Sequence, residues 1–110
     1  MKIPDTVRIG GVDYSVIETE HLNDGSNVCY GRIDYQKSII ELNPDNQDHL
    51  KKCLTLWREI IHGIIEHANM NIRERNEEGT VDSIAKGIHQ VLQDNVRNLF
   101  DLRGEQDGDP

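Results

Sequence analysis

The chain has 110 residues, 35% of them hydrophobic and 29% charged, with a formal net charge of -8. That is enough for one domain with one modest core, and the acidic balance excludes general affinity for nucleic-acid phosphate, which needs a basic face, leaving open only an acidic mimic of nucleic acid. No run approaches the ~18 apolar residues of a membrane span, Met1-Lys2-Ile3-Pro4-Asp5 is not a signal peptide, and Cys29 and Cys53 form no Cys-x-x-Cys pair, so a cytoplasmic location with no nucleic-acid or membrane partner is expected.

In chain order, Thr6–Ile9 and Val12–Glu20 flank Gly10-Gly11. Two glycines between β-rich runs predict a hairpin, because a tight turn needs positive φ. Tyr14 and Val16 alternate with Asp13 and Ser15, so one face of the second run is expected to be buried. Asn23–Asn27 reads as a loop by composition. Val28–Tyr35 reads as a third strand, in which Gly31 marks a bulge or a close backbone approach. Gln36-Lys37 turns the chain into Ser38–Leu42, a short strand that Asn43-Pro44-Asp45 ends.

From Gln47 the period changes from 2 to 3.6. Leu50, Cys53, Leu54, Trp57, Ile60, Ile61, Ile64, Ile65 and Ala68 mark the apolar face of a helix that stops near Asn69. Asn46 or Asp45 is its expected cap, and Asp48 suits the positive end of its dipole. Cys53 reads as a small buried hydrophobe and Trp57 as core. Asn71–Gly79 reads as a solvated loop and Thr80 as an N-cap. Val81, Ile84, Ala85, Ile88, Val91, Leu92, Val96 and Leu99 then form the buried stripe of a second helix. Residues 104–110 are acidic and short of apolar groups, and read as a disordered tail. The expected architecture is α+β: a single domain over residues 1–103, with a small antiparallel or mixed sheet of about four short strands packed on two helices.

The most informative stretch is Trp57-Arg58-Glu59-Ile60-Ile61-His62-Gly63. It reads as a His-Glu-x-x-His zinc helix in which the first histidine has become arginine. Side chains four apart project from one helical face, which is why a zinc helix places two histidines at that spacing. The glutamate polarises the attacking water as general base. A third ligand comes from elsewhere, and the metal keeps one position open for water. Arg58 breaks this set: a guanidinium is not deprotonated at usable pH and has no lone pair for zinc. It also puts a fixed positive charge where the dication would sit.

Three segments carry a family resemblance: Tyr30-Gly31-Arg32-Ile33-Asp34-Tyr35 with Ile39-Ile40-Glu41-Leu42, then Leu56–Ile64, then Val81–Asn95. Over roughly Pro4 to Phe100 the chain resembles the minigluzincins, small phage and prophage proteins related to zinc-dependent metallopeptidases. The resemblance implies a zincin-like fold. The first segment would be a strand pair above the active-site helix, one strand of which can pair an extended peptide substrate. The second would be the zinc helix, and the third the helix that carries a glutamate ligand near its start. This chain departs from the pattern twice. Arg58 holds the first ligand position, and Gly79 and Thr80 sit about where the glutamate is expected, with Glu78 and Asp82 the nearest carboxylates.

The expected function is therefore that of a catalytically inactive, metallopeptidase-like phage or prophage protein that acts by binding a protein partner. The alternative is an active zinc-dependent metallopeptidase with a rewired metal site. No cofactor is expected under the first reading, and zinc under the second. Glu59 is the ancestral general base, now vestigial, and His62 the vestigial metal ligand, with Asp82 and Glu78 as candidate carboxylate donors. Arg58 is expected to replace the ion, pairing with His62 and with Asp82 or Glu78 through its planar fork. A homo-oligomer that covers leftover apolar surface is a third reading. Glu66, four after His62, is placed to hydrogen-bond the imidazole and fix its tautomer. His67 suits the helix dipole, His89 reads as a packed or partly exposed ring, and His21 and His49 show no constellation.

Overall fold

Period-2 alternation sets which side of each strand faces inward. The computed structural model describes residues 1–68 and 77–100. Its elements are β1 (Thr6–Ile9), β2 (Val12–Glu18), β3 (Gly31–Asp34), β4 (Ile39–Leu42), α1 (His49–His67) and α2 (Glu77–Phe100). Val7, Ile9, Tyr14, Ile40 and Leu42 lose all or nearly all contact with solvent and pack against Leu56, Ile60 and Ile64 of α1 and Val91 and Leu99 of α2. Their neighbours Thr6, Arg8, Asp13 and Ser15 remain exposed on the opposite face. The result is the expected α+β class.

The strands form one sheet in the order β1-β2-β4-β3. Gly10 and Gly11 (φ 58° and 85°) make the turn between β1 and β2, which pair antiparallel with Ile9 opposite Val12. Positive φ at both central residues is what such a two-residue turn requires. The chain then crosses over and returns along β4 parallel to β2, while β3 and β4 pair antiparallel, so the sheet is mixed. The third strand starts at Gly31 rather than Val28. Val28 bridges Asn23 instead, and Cys29 N donates to Leu22 O at 2.9 Å, so residues 28–30 belong to the crossing.

Helix α1 is capped by Asp48, which accepts from Lys51 N, rather than by Asn46 or Asp45. Asn46 sits in a left-handed turn (φ 61°), and Asp45 accepts from His21 N. The face of α1 turned to the core runs through Cys53, Leu56, Ile60, Gly63 and Ile64. Leu50 and Leu54, expected there, are 68% and 58% exposed, because they sit on an adjacent stripe that nothing described covers. Helix α2 begins at Glu77, so Glu77–Gly79 are helical rather than loop and Thr80 lies inside the helix instead of capping it. Val81 and Val96 are exposed, and Val91, Asn95 and Leu99 carry the buried stripe. The expected loop at residues 71–76 and the expected tail at 104–110 lie outside the described residues.

Asn95 is the polar member of that stripe, 2% exposed. Its Oδ1 accepts from Arg8 N at 2.7 Å, and its Nδ2 donates to Arg8 O at 2.9 Å and to Val91 O at 2.7 Å. Gly10 N donates to Gln90 Oε1 at 3.1 Å, and Asn98 Nδ2 donates to Thr6 O at 3.5 Å. Opposite Ile9↔Val12 and Val7↔Tyr14, alternate residues of β1 turn their backbone groups away from β2. Side chains of α2 therefore take both outward groups of Arg8, the carbonyl of Thr6 and the amide of Gly10, and cover this edge of the sheet. Asn95→Leu keeps the volume but strands the amide and carbonyl of Arg8. It is expected to cost about 2–4 kcal/mol, since each unmet buried group costs about 1–3, as read by urea unfolding.

Candidate functional site

β3 is the other edge of the sheet, and it lies beside α1. Asn43 N donates to Tyr30 O at 2.9 Å, while Ser15 N and Thr19 N donate to Ser38 O and Leu42 O across the parallel seam. With Gly31 opposite Leu42, these bonds fix the phase of the ladder. Tyr30, Arg32 and Asp34 turn their backbone groups toward β4, and Gly31 and Ile33 turn theirs outward. Among the described residues nothing hydrogen-bonds to those outward groups. Arg32 fastens the strand on its solvent face, donating from Nε and from one terminal nitrogen to Glu41 Oε1 at 3.0 and 2.7 Å.

The inward face of this segment is shaped to α1. A Cβ on Gly31 would stand 2.5 Å from Thr55 Cγ2 and 3.2 Å from Glu59 Oε2, so this position admits no side chain without displacement. Ile33 packs over Gly63, and Tyr35 Oη donates to His62 O at 3.2 Å. Gln47 ties strand to helix: its Nε2 donates to Tyr30 O at 3.0 Å, and its Oε1 accepts from Thr55 Oγ1 at 2.6 Å. Between them runs a groove of about 280 Å³ lined by Tyr30, Gln47, Lys51, Leu54, Thr55 and Arg58. Tyr30 and Leu54 are half exposed there.

Glu59 sits behind Gly31, partly buried, while Arg58 and His62 are exposed. Burial pushes the Glu59 carboxyl above the usual carboxylate range, opposed by the charges of His62 and Arg58. Among the described residues Arg58 has no hydrogen-bond or ion-pair partner. The pair expected with Asp82 is not made, since Asp82 pairs with Lys86 at 3.1 Å on the surface of α2. The reason is rotational. Helix α2 meets α1 where Gly87 faces Ile64, and positions 58 and 62 lie roughly 120° and 160° around the helix from Ile64. The side chain of Glu78 lies outside the described residues. Glu66 makes no hydrogen bond to His62. Burial raises the hydroxyl pKa of both Tyr14 and Tyr35, and the charge of Glu66 raises them further. His67 is structural: its Nε2 is 2.6 Å from Tyr14 Oη. His89 is exposed.

Arg58 has no lone pair to give, and among the described residues no three histidine, cysteine or carboxylate side chains gather as a ligand set. What the structure brings together instead is an open strand edge, an apolar strip (Tyr30, Leu54) and two cations, Lys51 and Arg58. Sequence reasoning did not single out Gln47, Lys51 or Thr55 as site residues; the only pointer was the glycine in β3, whose close approach is to Thr55. Comparison with family models, with curated proteins and with solved structures returns no match.

Gly31→Val is expected to destabilise the fold by about 1–3 kcal/mol, measured by urea unfolding, because Thr55 is buried, bonded to Gln47 and unable to step aside. Glu59 carries a pH signature. A carboxyl raised in the folded state binds more protons there than in the unfolded chain, so its contribution to stability is fully present below the ordinary value of 4.5 and is lost as pH rises through the raised one. Glu59→Gln should therefore melt higher than the parent at pH 7, with the gap closing toward pH 4, in thermal melts across that range.

Proposed function

We propose that this chain is a non-catalytic peptide-binding module on a metallopeptidase-like scaffold, which takes an extended segment of a protein partner as an added strand along β3. One observation carries the reading: α2 closes the β1 edge with Asn95, Gln90 and Asn98, while the amides and carbonyls of Gly31 and Ile33 face outward beside a groove. An unpaired edge next to a side-chain groove is the arrangement used in strand addition, where the main chain supplies affinity and alternate side chains supply selectivity. The resemblance to small metallopeptidase-like phage proteins is compatible with this placement, since it implies that one strand of the β3–β4 pair can take an extended peptide.

The groove indicates the partner's chemistry. Leu54 and Tyr30 offer an apolar strip, and Arg58, which no carboxylate among the described residues pairs with, suits an Asp, a Glu or a terminal carboxylate held by a bidentate pair. In a chain of net charge -8, Arg58 and Lys51 supply the local attraction that an acidic segment would otherwise lack. The burial of Glu59 beside the open edge favours a second reading, a working peptidase with a rewired metal site, in which that carboxyl is the general base.

An immobilised library of eight-residue peptides separates the two. The expected result is enrichment of β-prone sequences carrying a carboxylate and lost on Arg58→Glu. In amide exchange, Gly31 and Ile33 should be fast in the free protein, between the slower Arg32 and Asp34, and become protected when such a peptide is added. Cleavage of the peptides that Glu59→Gln abolishes, together with one zinc per chain, would support the peptidase and defeat the binding module.

A further inference from the structure

A separate cluster lies at the start of α1, away from the groove. His49 and Cys53 are four apart on the helix and therefore share a face, with His49 Nε2 3.5 Å from Cys53 Sγ. The N-terminal segment folds over them. Met1 O is 2.7 Å from His49 Nε2 and 3.8 Å from Cys53 Sγ. One turn along, Trp57 Nε1 donates to Met1 Sδ at 3.0 Å. Imidazole, thiol and carbonyl thus form a triangle with sides of 2.7, 3.5 and 3.8 Å. The point equidistant from its corners lies about 2.0 Å from each, within the bonding range of metal to nitrogen and slightly short of that to sulfur. Cys53 is 6% exposed and Met1 39%, and His49 is exposed, so the cluster is sheltered on one side and open on the other.

We propose that His49, Cys53 and Met1 form a site for a soft monovalent cation of low coordination number, Cu(I). Thiolate, thioether and imidazole donors select this kind of ion, and a near-planar set of three suits it better than zinc, which takes four tetrahedral ligands. On binding, Cu(I) forms a bond to Cys53 Sγ, whose proton passes to solvent. His49 gives up its contact with Met1 O: the Nε2 proton passes to solvent, Nδ1 takes one up in exchange, and the neutral ring binds through Nε2. Met1 contributes its carbonyl, or its Sδ after release from Trp57. No electron is transferred. The site is independent of the peptide groove, so its success or failure leaves that reading untouched.

The test is an anaerobic titration of the reduced full-length chain with Cu(I), buffered by bicinchoninate and followed by fluorescence of Trp57, the single tryptophan. Quenching that saturates at one equivalent, persists in Cys29→Ser and is lost in both Cys53→Ser and His49→Gln is the expected result. Circular dichroism checks that each variant folds; His49 is exposed, so its variant keeps the test decisive if Cys53→Ser does not. Quenching that survives either ligand substitution in a folded variant, that follows Cys29, that appears with Zn(II) but not Cu(I), or that never saturates near one equivalent overturns the proposal.

Discussion

The fold depends on what Asn95 does to the first strand. A sheet edge leaves a row of unpaired amides and carbonyls, and in a small domain these must meet water or side chains. The amide of Asn95 is both donor and acceptor, so one side chain satisfies both outward groups of Arg8 while its second amide hydrogen returns to Val91 O of its own helix. That triple bond pattern fixes the height and rotation of α2 against β1. Because α2 is held there, it meets α1 at Ile64 rather than at Arg58 and His62. The same contact that seals one edge of the sheet therefore leaves the groove by β3 uncovered by any described part of α2.

Electrostatics at the groove follow from that separation. Among the described residues no carboxylate pairs with Arg58, and Glu59 beside it is partly buried by the close approach of β3. The two are adjacent in sequence but meet different surroundings: the guanidinium reaches solvent, whereas the carboxyl sits against a backbone that has no side chain to give way. A metal site needs several lone pairs directed at one point; the guanidinium of Arg58 has none to give and offers hydrogen-bond donors instead.

Much of the architecture was legible in the sequence, because it rests on local patterns. Glycine pairs, alternating apolar residues in β1, β2 and β4, and a 3.6 period from the start of α1 each report a nearby constraint. What was not legible depends on partners far along the chain. Asn95 reads as a break in an apolar stripe until β1 is placed against it, 87 residues away. Leu50 and Leu54 match the helical period of the core but miss its face, since α1 carries apolar residues over more than half its circumference and periodicity cannot say which side the sheet will take. The start of α2 at Glu77 was hidden by a run of charges that reads as loop. His49 and Cys53 show nothing in isolation, and become a cluster only when the N-terminal segment folds back over the helix.

The sheet is two local hairpins joined by one parallel ladder. β1–β2 and β3–β4 each close over a short turn, whereas the Ser15–Glu18 to Ile39–Leu42 pairing must wait for a crossing of a dozen residues to be drawn in. That seam joins the two hairpins, and α1, which touches β1 on one side and β3 and β4 on the other, lies across it as a splint. A strand laid along β3 and held by α1 would grip both halves at once, so occupancy of the groove and cohesion of the two hairpins rise and fall together.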